Sequence, residues 1–318
     1  MMSLPRASWH LLWATNQRWE VEYLPQQVLR RVPTISTGSL SSDGTLPPQL
    51  LRNRTIIVVR SRQGSPRANL LLFRAFRRAG HTVAVVVLGD ETMENSCGQT
   101  DSRSDLAALY REAPLVIRQY WQRGCDPASK PNVLLVPLGV RSGGTHGHRA
   151  RAAPARKYHL SFASTHRIWV RDAMVDSLRS GHAAEAADDK MRIFYPGRDP
   201  SYTETLLSSQ MGLCPPGNSH DTWRHWETMD TGAIPVTSSE SLEYYRNYVP
   251  AALLDTWVDL GSFEEARGRA PNASDQLHGL LADPRGLHAR RAALAREHEL
   301  YYDQWTGRVA SRLQALLG

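Results

Sequence analysis

Apolar residues along this chain fall into short continuous runs separated by stretches of helical spacing. Such runs are the pattern of strands buried on both faces of a parallel sheet. The clearest are Ile56-Ile57-Val58-Val59 and the six residues 83–88. Between them, residues 66–79 place Leu70, Leu71, Phe73 and Phe76 at helical spacing among arginines, opened by Pro66 and closed by Gly80. This order predicts a βαβ unit. Residues 105–112 read as a short helix, and 115–120 and 133–136 as strands, so the N-terminal half predicts an open α/β domain. The Ser/Thr/Pro-rich stretch 33–48 reads as a loop ahead of this alternation.

Residues 141–156, rich in Gly, His, Arg and Ala, carry no periodicity and read as an interdomain linker or exposed loop. The alternation then restarts. Strands are expected at 158–164, 193–195, 211–214 and 233–236, and helices at 169–178, 202–209 and 221–230. Leu and Ala repeat at helical spacing over 287–317. The expected organisation is an N-terminal extension (1–48), an N-terminal α/β domain (49–156) and a C-terminal α/β domain (157–318) closed by a long helix. Ligands of such domains bind at the carboxyl ends of the strands.

The length of 318 residues, with 41% hydrophobic and 22% charged positions, suits two such domains and excludes disordered and fibrous classes. No apolar run approaches the ~20 residues that span a bilayer, so no membrane span is expected in this chain. Residues 1–24 lack the apolar centre of a signal peptide. Three widely spaced cysteines (Cys97, Cys125, Cys214) indicate neither a zinc ribbon nor a disulfide framework, although one pair can form. The sequons at Asn53 and Asn272 bear sugar only in a secretory compartment.

The net charge of +7 is unevenly spread. Residues 1–160 hold 22 basic against 10 acidic residues, and 161–318 hold 16 against 21; only Lys130, Lys157 and Lys190 are lysines. The arginine excess of the first half supports a nucleic-acid-binding alternative. No P-loop, dinucleotide fingerprint, nucleophile elbow or His-Glu-x-x-His occurs, and an Asp-x-Asp pair that would seat a divalent ion beside a nucleotide diphosphate is missing.

The most informative window is 212–236: a strand, a Pro215-Pro216-Gly217 turn, a polar loop, a helix and a second strand. Asn218, Ser219 or Asp221 can cap the helix, whose free N–H groups would face an anion. Arg224 and Glu227, three apart, share one helix face. They can form a surface ion pair, or an arginine can grip a diphosphate while a carboxylate accepts both hydroxyls of a ribose. His220 and His225 flank the helix start and read as hydrogen-bonded surface histidines, with a role beside the diphosphate as the alternative.

This window resembles the C-terminal motif of the exostosin-type glycosyltransferases. There a Pro-x-Gly turn precedes an Arg-x-x-Glu helix and a strand like Gly232-Ala233-Ile234-Pro235-Val236. Leu88-Gly89-Asp90-Glu91, Tyr110, Val116-Ile117-Arg118-Gln119-Tyr120-Trp121, Val136-Pro137-Leu138-Gly139 and Tyr158-His159-Leu160-Ser161-Phe162 are similar, in order, to the ribitol xylosyltransferase branch. The resemblance covers residues 82–265. It implies an α/β GT-B fold, two Rossmann-like domains facing across a cleft, and inverting transfer from a nucleotide sugar, with no cofactor and no essential metal.

By that resemblance Glu227 would bind the donor ribose, Arg224 the diphosphate, and Gly217, Asn218 and Ser219 the phosphate or sugar hydroxyls. Arg167 and Arg171 are further candidates for the diphosphate. An inverting transferase needs a general base and stabilisation of the leaving diphosphate. Asp90, then Glu91, are expected as the base, at the carboxyl end of the strand 83–88. Arg118, Tyr120 and Trp121 are the acceptor-binding candidates. The implied partners are a UDP-sugar, with UDP-xylose first, and a glycan, glycoprotein or sugar-alcohol acceptor, with no nucleic acid. The implied location is the Golgi lumen. A non-catalytic sugar-binding relative is the other alternative.

Overall fold

The computed structural model describes residues 9–13, 24–39, 54–60, 66–88, 105–122, 124–139, 156–164, 169–181, 190–195, 197, 199, 201–217, 219–263 and 273–317. The chain forms two compact units. Unit 1 comprises Met1–Pro137 with Asp303–Gly318, and unit 2 comprises Leu138–Tyr302.

Unit 1 is built on a six-stranded sheet in the order β2-β1-β3-β4-β5-β6, with every neighbouring pair parallel. Its strands are β1 (Trp9–Trp13), β2 (Thr34–Ser39), β3 (Arg54–Arg60), β4 (Thr82–Leu88), β5 (Val116–Arg118) and β6 (Val133–Leu135). The β-branched runs of β3 and β4 pair in the middle, where Val83 to Leu88 are buried along their whole length. Helix α1 (Pro66–Arg78) packs Leu70, Phe73 and Phe76 inward, while Leu71, off that stripe, is exposed. Gly80 ends α1 with φ +83°; its N–H reaches the Arg77 carbonyl and the His81 N–H reaches that of Phe76, a Schellman cap. Arg74 binds Glu112 of α2 (Asp105–Glu112), Nε to Oε2 at 2.8 Å.

Unit 2 carries a five-stranded parallel sheet in the order β11-β10-β9-β7-β8. The strands are β7 (Tyr158–Ala163), β8 (Met191–Phe194), β9 (Ser209–Leu213), β10 (Ile234–Thr237) and β11 (Val258–Asp259). Between them lie α3 (Trp169–Gly181), α4 (Tyr202–Leu207), α5 (Trp223–Asp230), α6 (Ser239–Tyr245) and α7 (Ala251–Leu254), followed by α8 (Ala273–Leu281) and α9 (Pro284–Ala315). Gly212 on β9 lets α5 approach closely, since a Cβ there would lie 2.6 Å from Thr228 Oγ1.

The buried guanidinium of Arg156 ties the base of this sandwich together. It donates to the carbonyls of Ser209 (2.5 Å) and Thr231 (2.6 Å), at the start of β9 and the end of α5. Burial, then the charge of Arg291, lowers its pKa to about 9. Carbonyls at a helix C-terminus are a natural seat for such a cation.

The structure departs from the sequence reading in places. Residues 1–48, expected as an extension with a loop at 33–48, contribute β1 and β2 to the sheet. Trp9–Trp13 is five residues long and interrupted by His10, too short for a periodic signal. The final helix belongs to unit 2 as far as Tyr302 and to unit 1 from Asp303 onward. Arg30 and Arg31 bind Asp303 within unit 1. Helix α5 starts at Trp223, two residues later than expected. Its N-cap is Thr222, which makes no side-chain capping bond.

Candidate functional site

In unit 2 the chain passes from β7 to its neighbour β8 on one side, then returns to the other side of β7 as β9. The loops leaving β7 and β9 therefore diverge, and ligands of open α/β sheets bind at the carboxyl ends of strands at such a switch point. The window 212–236 brings its residues to this place.

Arg224, in the first turn of α5, reaches back to the last residue of β7. It donates to the Ala163 carbonyl from Nη2 at 3.0 Å and from Nε at 3.4 Å, and lies 5.4 Å from the centre of the Phe162 ring. The ion pair with Glu227 that the i, i+3 spacing allows is not formed. The buried Glu227 carboxylate instead accepts a hydrogen bond from the Tyr202 hydroxyl at the start of α4. Burial, then the charge of Glu227, raises the Tyr202 pKa.

Arg171, two residues into α3, is buried and holds the two switch-point loops together. Its Nη1 donates to Ser164 Oγ at 3.0 Å and its Nε to the Pro216 carbonyl at 3.1 Å. A Cβ at Gly217 would stand 3.0 Å from its Nη2, so glycine lets the guanidinium lie against the loop. Burial first, and the charge of Arg224 second, lower the Arg171 pKa to about 10. It stays protonated at neutral pH, so two like charges act on one another beside this loop. Within the loop, the Gly217 N–H donates to the Ser219 carbonyl at 2.9 Å and Ser219 Oγ accepts from the Asp221 N–H at 3.2 Å. Asn218 and Arg167 lie outside the described residues.

Asp221, singled out in the sequence only as a possible cap, is buried behind the loop. It accepts from Trp226 Nε1 (2.8 Å) and the Tyr245 hydroxyl (2.8 Å) on Oδ1, and from the Tyr248 hydroxyl (2.9 Å) on Oδ2. The Leu138 N–H also donates to it. Burial raises its pKa to about 6 against the pull of these bonds. His225, expected at the surface, is 0% exposed. Its Nδ1 lies 3.0 Å from Thr222 Oγ1 and from the Tyr245 hydroxyl, its Nε2 3.0 Å from Thr237 Oγ1, and its ring stacks on Trp257. Thr237 Oγ1 donates to the Cys214 carbonyl, which assigns the ring proton to Nε2 and makes Nδ1 the acceptor. Burial holds the imidazole neutral, with a pKa of about 3. Cys214 is free and buried, and its pKa is pushed up to about 12 by burial, which marks it as a packing group.

In unit 1, Arg118 is 0% exposed; its Nε donates to the Gln119 carbonyl at 3.1 Å and its guanidinium faces the Tyr110 ring. Tyr120 is buried with φ +59°, a left-handed conformation uncommon for a bulky residue, at the carboxyl end of β5. Of these acceptor candidates, Trp121 alone is half-buried and presents surface. Asp90 and Glu91 lie outside the described residues. Among the described residues, no group of three or more His, Cys, Asp or Glu is placed to hold a metal ion, and no helix is long and apolar enough to cross a membrane.

Sequence reasoning missed Tyr202 and the network around Asp221. The partners of Asp221 range from Leu138 to Tyr248, a convergence that only the fold creates.

No protein-family model and no curated protein matches the sequence. Among solved structures, the chain is similar to Phytolacca americana UGT2 complexed with UDP-2-fluoro-glucose and pterostilbene. The TM-score is 0.50 at 10% identity, over 97% of this chain and 100% of that one. Sucrose-phosphate synthase from Thermosynechococcus elongatus matches with a TM-score of 0.49 at 10% identity, over 89% and 83%. The pneumococcal O-GlcNAc transferase GtfA in complex with UDP and GlcNAc matches with 0.47 at 10% identity, and the chain spans 83% of its own length but 57% of that protein. The fold of this chain is GT-B, with two Rossmann-like units.

Proposed function

We propose that this chain is a glycosyltransferase of exostosin type that takes a UDP-sugar in unit 2 and moves its sugar, xylose first, to a hydroxyl of a glycan, glycoprotein or sugar alcohol. The observation that carries the reading is the pair Arg171 and Arg224. Two cations repel each other at the carboxyl ends of β7 and β9, beside a glycine turn and the start of α5. A diphosphate in that position relieves the repulsion and meets the positive end of the α5 dipole. Glu227, one turn further along and steadied by Tyr202, accepts the ribose hydroxyls. Gly217, Asn218, Ser219 and Arg167 complete the donor side.

In the transfer, a carboxylate of unit 1 removes the proton of the acceptor hydroxyl, with Asp90 first and Glu91 second. The acceptor oxygen attacks the anomeric carbon from the face opposite the diphosphate, which inverts the centre and expels UDP. Arg224 and Arg171 stabilise the charge that collects on UDP as the bond breaks. Trp121 offers its ring to the acceptor sugar. The missing Asp-x-Asp fits a mechanism in which arginines, with no essential metal, carry this duty.

Cys125 is disulfide-bonded, which supports an oxidising compartment and so the Golgi lumen that the family resemblance implies. A screen of UDP-sugars for hydrolysis and for transfer to xylosides, oligosaccharides and ribitol phosphates tests the proposal. Turnover of one UDP-sugar is expected; no binding of UDP and no turnover of any nucleotide sugar would reject it.

A further inference from the structure

We infer that Asp221 is a positioning residue of this site, setting the entry of α5 so that nucleotide-sugar affinity, and not stability alone, depends on its carboxylate. The inference rests on the reading of unit 2 as a nucleotide-sugar site. Thr222 opens α5 without a capping bond from its side chain, so the usual N-cap does not fix the start of the helix. Its N–H donates instead to the Tyr245 hydroxyl at 3.2 Å, and that hydroxyl donates to Asp221. Trp226, one turn into α5, reaches back to the same carboxylate oxygen. Tyr248 and the Leu138 N–H occupy the remaining acceptor positions.

Donors from α5, from α6 and the turn after it, and from the first residue of unit 2 therefore converge on one carboxylate. Arg224 is three residues beyond Asp221 and Glu227 six. A tilt of α5 shifts both, and with them the contact of Arg224 to Ala163. An amide at position 221 retains one good acceptor oxygen but turns an NH2 toward donors. Tyr248 can rotate its hydroxyl to accept; the Leu138 N–H cannot.

The titratable groups that face Asp221 come from α5, α6 and the turn after it. Tyr245 and Tyr248 contact it, and their pKa values are raised well above the ordinary tyrosine value by burial. Tyr244 and Tyr301 lie beyond Tyr248. His225, reached through Tyr245, stays neutral. His220, the preceding residue, turns its ring toward Ser241 and Tyr244. Asp221 itself titrates near 6, and its protonation places a donor among donors.

The test is calorimetry of UDP and of UDP-xylose, whose diphosphate diester does not titrate near pH 6, with the wild type and four variants. Wild type binding UDP supports the site reading, and its failure to bind would overturn that reading together with this inference. Asp221→Asn is expected to raise the Kd at least tenfold, and Tyr248→Phe, which removes one donor and keeps the ring, several-fold. Leu294→Ala, which opens a cavity at a buried residue of α9 without removing any of these donors, controls for general destabilisation and should keep the wild-type Kd. The wild-type Kd for UDP-xylose should rise as pH falls from 7.5 to 5, with a midpoint near 6. Asp221→Asn should abolish that dependence and His220→Gln should retain it. Wild-type affinity in Asp221→Asn and Tyr248→Phe, an equal loss in Leu294→Ala, or a pH dependence that persists in Asp221→Asn and vanishes in His220→Gln would overturn the assignment.

Discussion

The guanidinium of Arg224 stands 5.4 Å from the centre of the Phe162 ring, anchored at its base by the Ala163 carbonyl. An arginine that stacks on an aromatic face and donates to a backbone carbonyl is pre-organised, and its remaining N–H groups can meet an anion without first ordering the side chain.

Arg224→Ala should therefore weaken UDP binding strongly while leaving the thermal midpoint near that of wild type. Charge-assisted hydrogen bonds contribute about 1.5–3 kcal/mol, which corresponds to roughly 10- to 150-fold in Kd. Glu227→Ala should show a comparable loss, and calorimetry with scanning fluorimetry on the same samples reads both quantities. Unchanged UDP affinity in both variants would remove the donor-site assignment.

Tyr202→Phe isolates the hydrogen bond that steadies Glu227. The ring and its packing are kept, so the expected effect is on affinity: about three- to tenfold weaker UDP binding, following a net hydrogen-bond worth of about 1 kcal/mol. The effect should be absent in a Glu227→Ala background, because the two residues then no longer share an interaction. A double-mutant cycle with additive losses would show that Tyr202 does not act through Glu227.

Much of unit 2 was legible because its signals are local. The Pro215-Pro216-Gly217 turn, the Gly232 stop with φ +70° and the β-branched strand after it all announce themselves in neighbouring residues. Gly80 closes α1 for the same reason. What escaped the sequence is long-range. β1 is stabilised by pairing with β2 and β3, and β2 by pairing with β1, a context that WHLLW and TISTGS do not display. His225 looks like a surface histidine beside Arg224, and only the arrival of Tyr245, Thr237 and Trp257 from elsewhere buries it. Arg118 reads from the sequence as an acceptor-binding candidate beside aromatics, yet the strand turns it inward against Tyr110.

Gly212→Ala tests the contact between α5 and β9. The added methyl would meet Thr228 Oγ1 at 2.6 Å and Leu206 Cδ1 at 3.1 Å, and overpacking of this kind costs about 1–3 kcal/mol. Because α5 carries Arg224 and Glu227, the displaced helix should also bind UDP less well. Denaturant unfolding checks the first expectation and calorimetry the second.

Asp90→Asn separates binding from chemistry. It should leave UDP affinity at the wild-type value and remove transfer, since an amide cannot take the acceptor proton. Retained turnover would eliminate Asp90, and the same assay on Glu91→Gln then decides for or against the second candidate.

The two buried ionisable groups behind the loop make opposite contributions to stability as pH changes. The His225 pKa is held at about 3, below its ordinary 6.5, so the unfolded chain takes up a proton that the folded chain refuses. Its contribution is present above pH 6.5 and is lost as pH falls toward 3. The Asp221 pKa is raised to about 6 from 3.8, so between these values the folded chain holds a proton that the unfolded chain releases. Its contribution is present below pH 3.8 and is lost as pH rises through 6. On acidification from pH 7, the histidine therefore acts first, and below pH 6 the aspartate offsets it. His225→Gln should lessen the acid loss of stability, and Asp221→Asn should steepen it below pH 6. Chemical denaturation at half-unit intervals from pH 7 to 4.5 measures both slopes. Parallel profiles for wild type and both variants would mean that neither group titrates differently in the folded and unfolded chain.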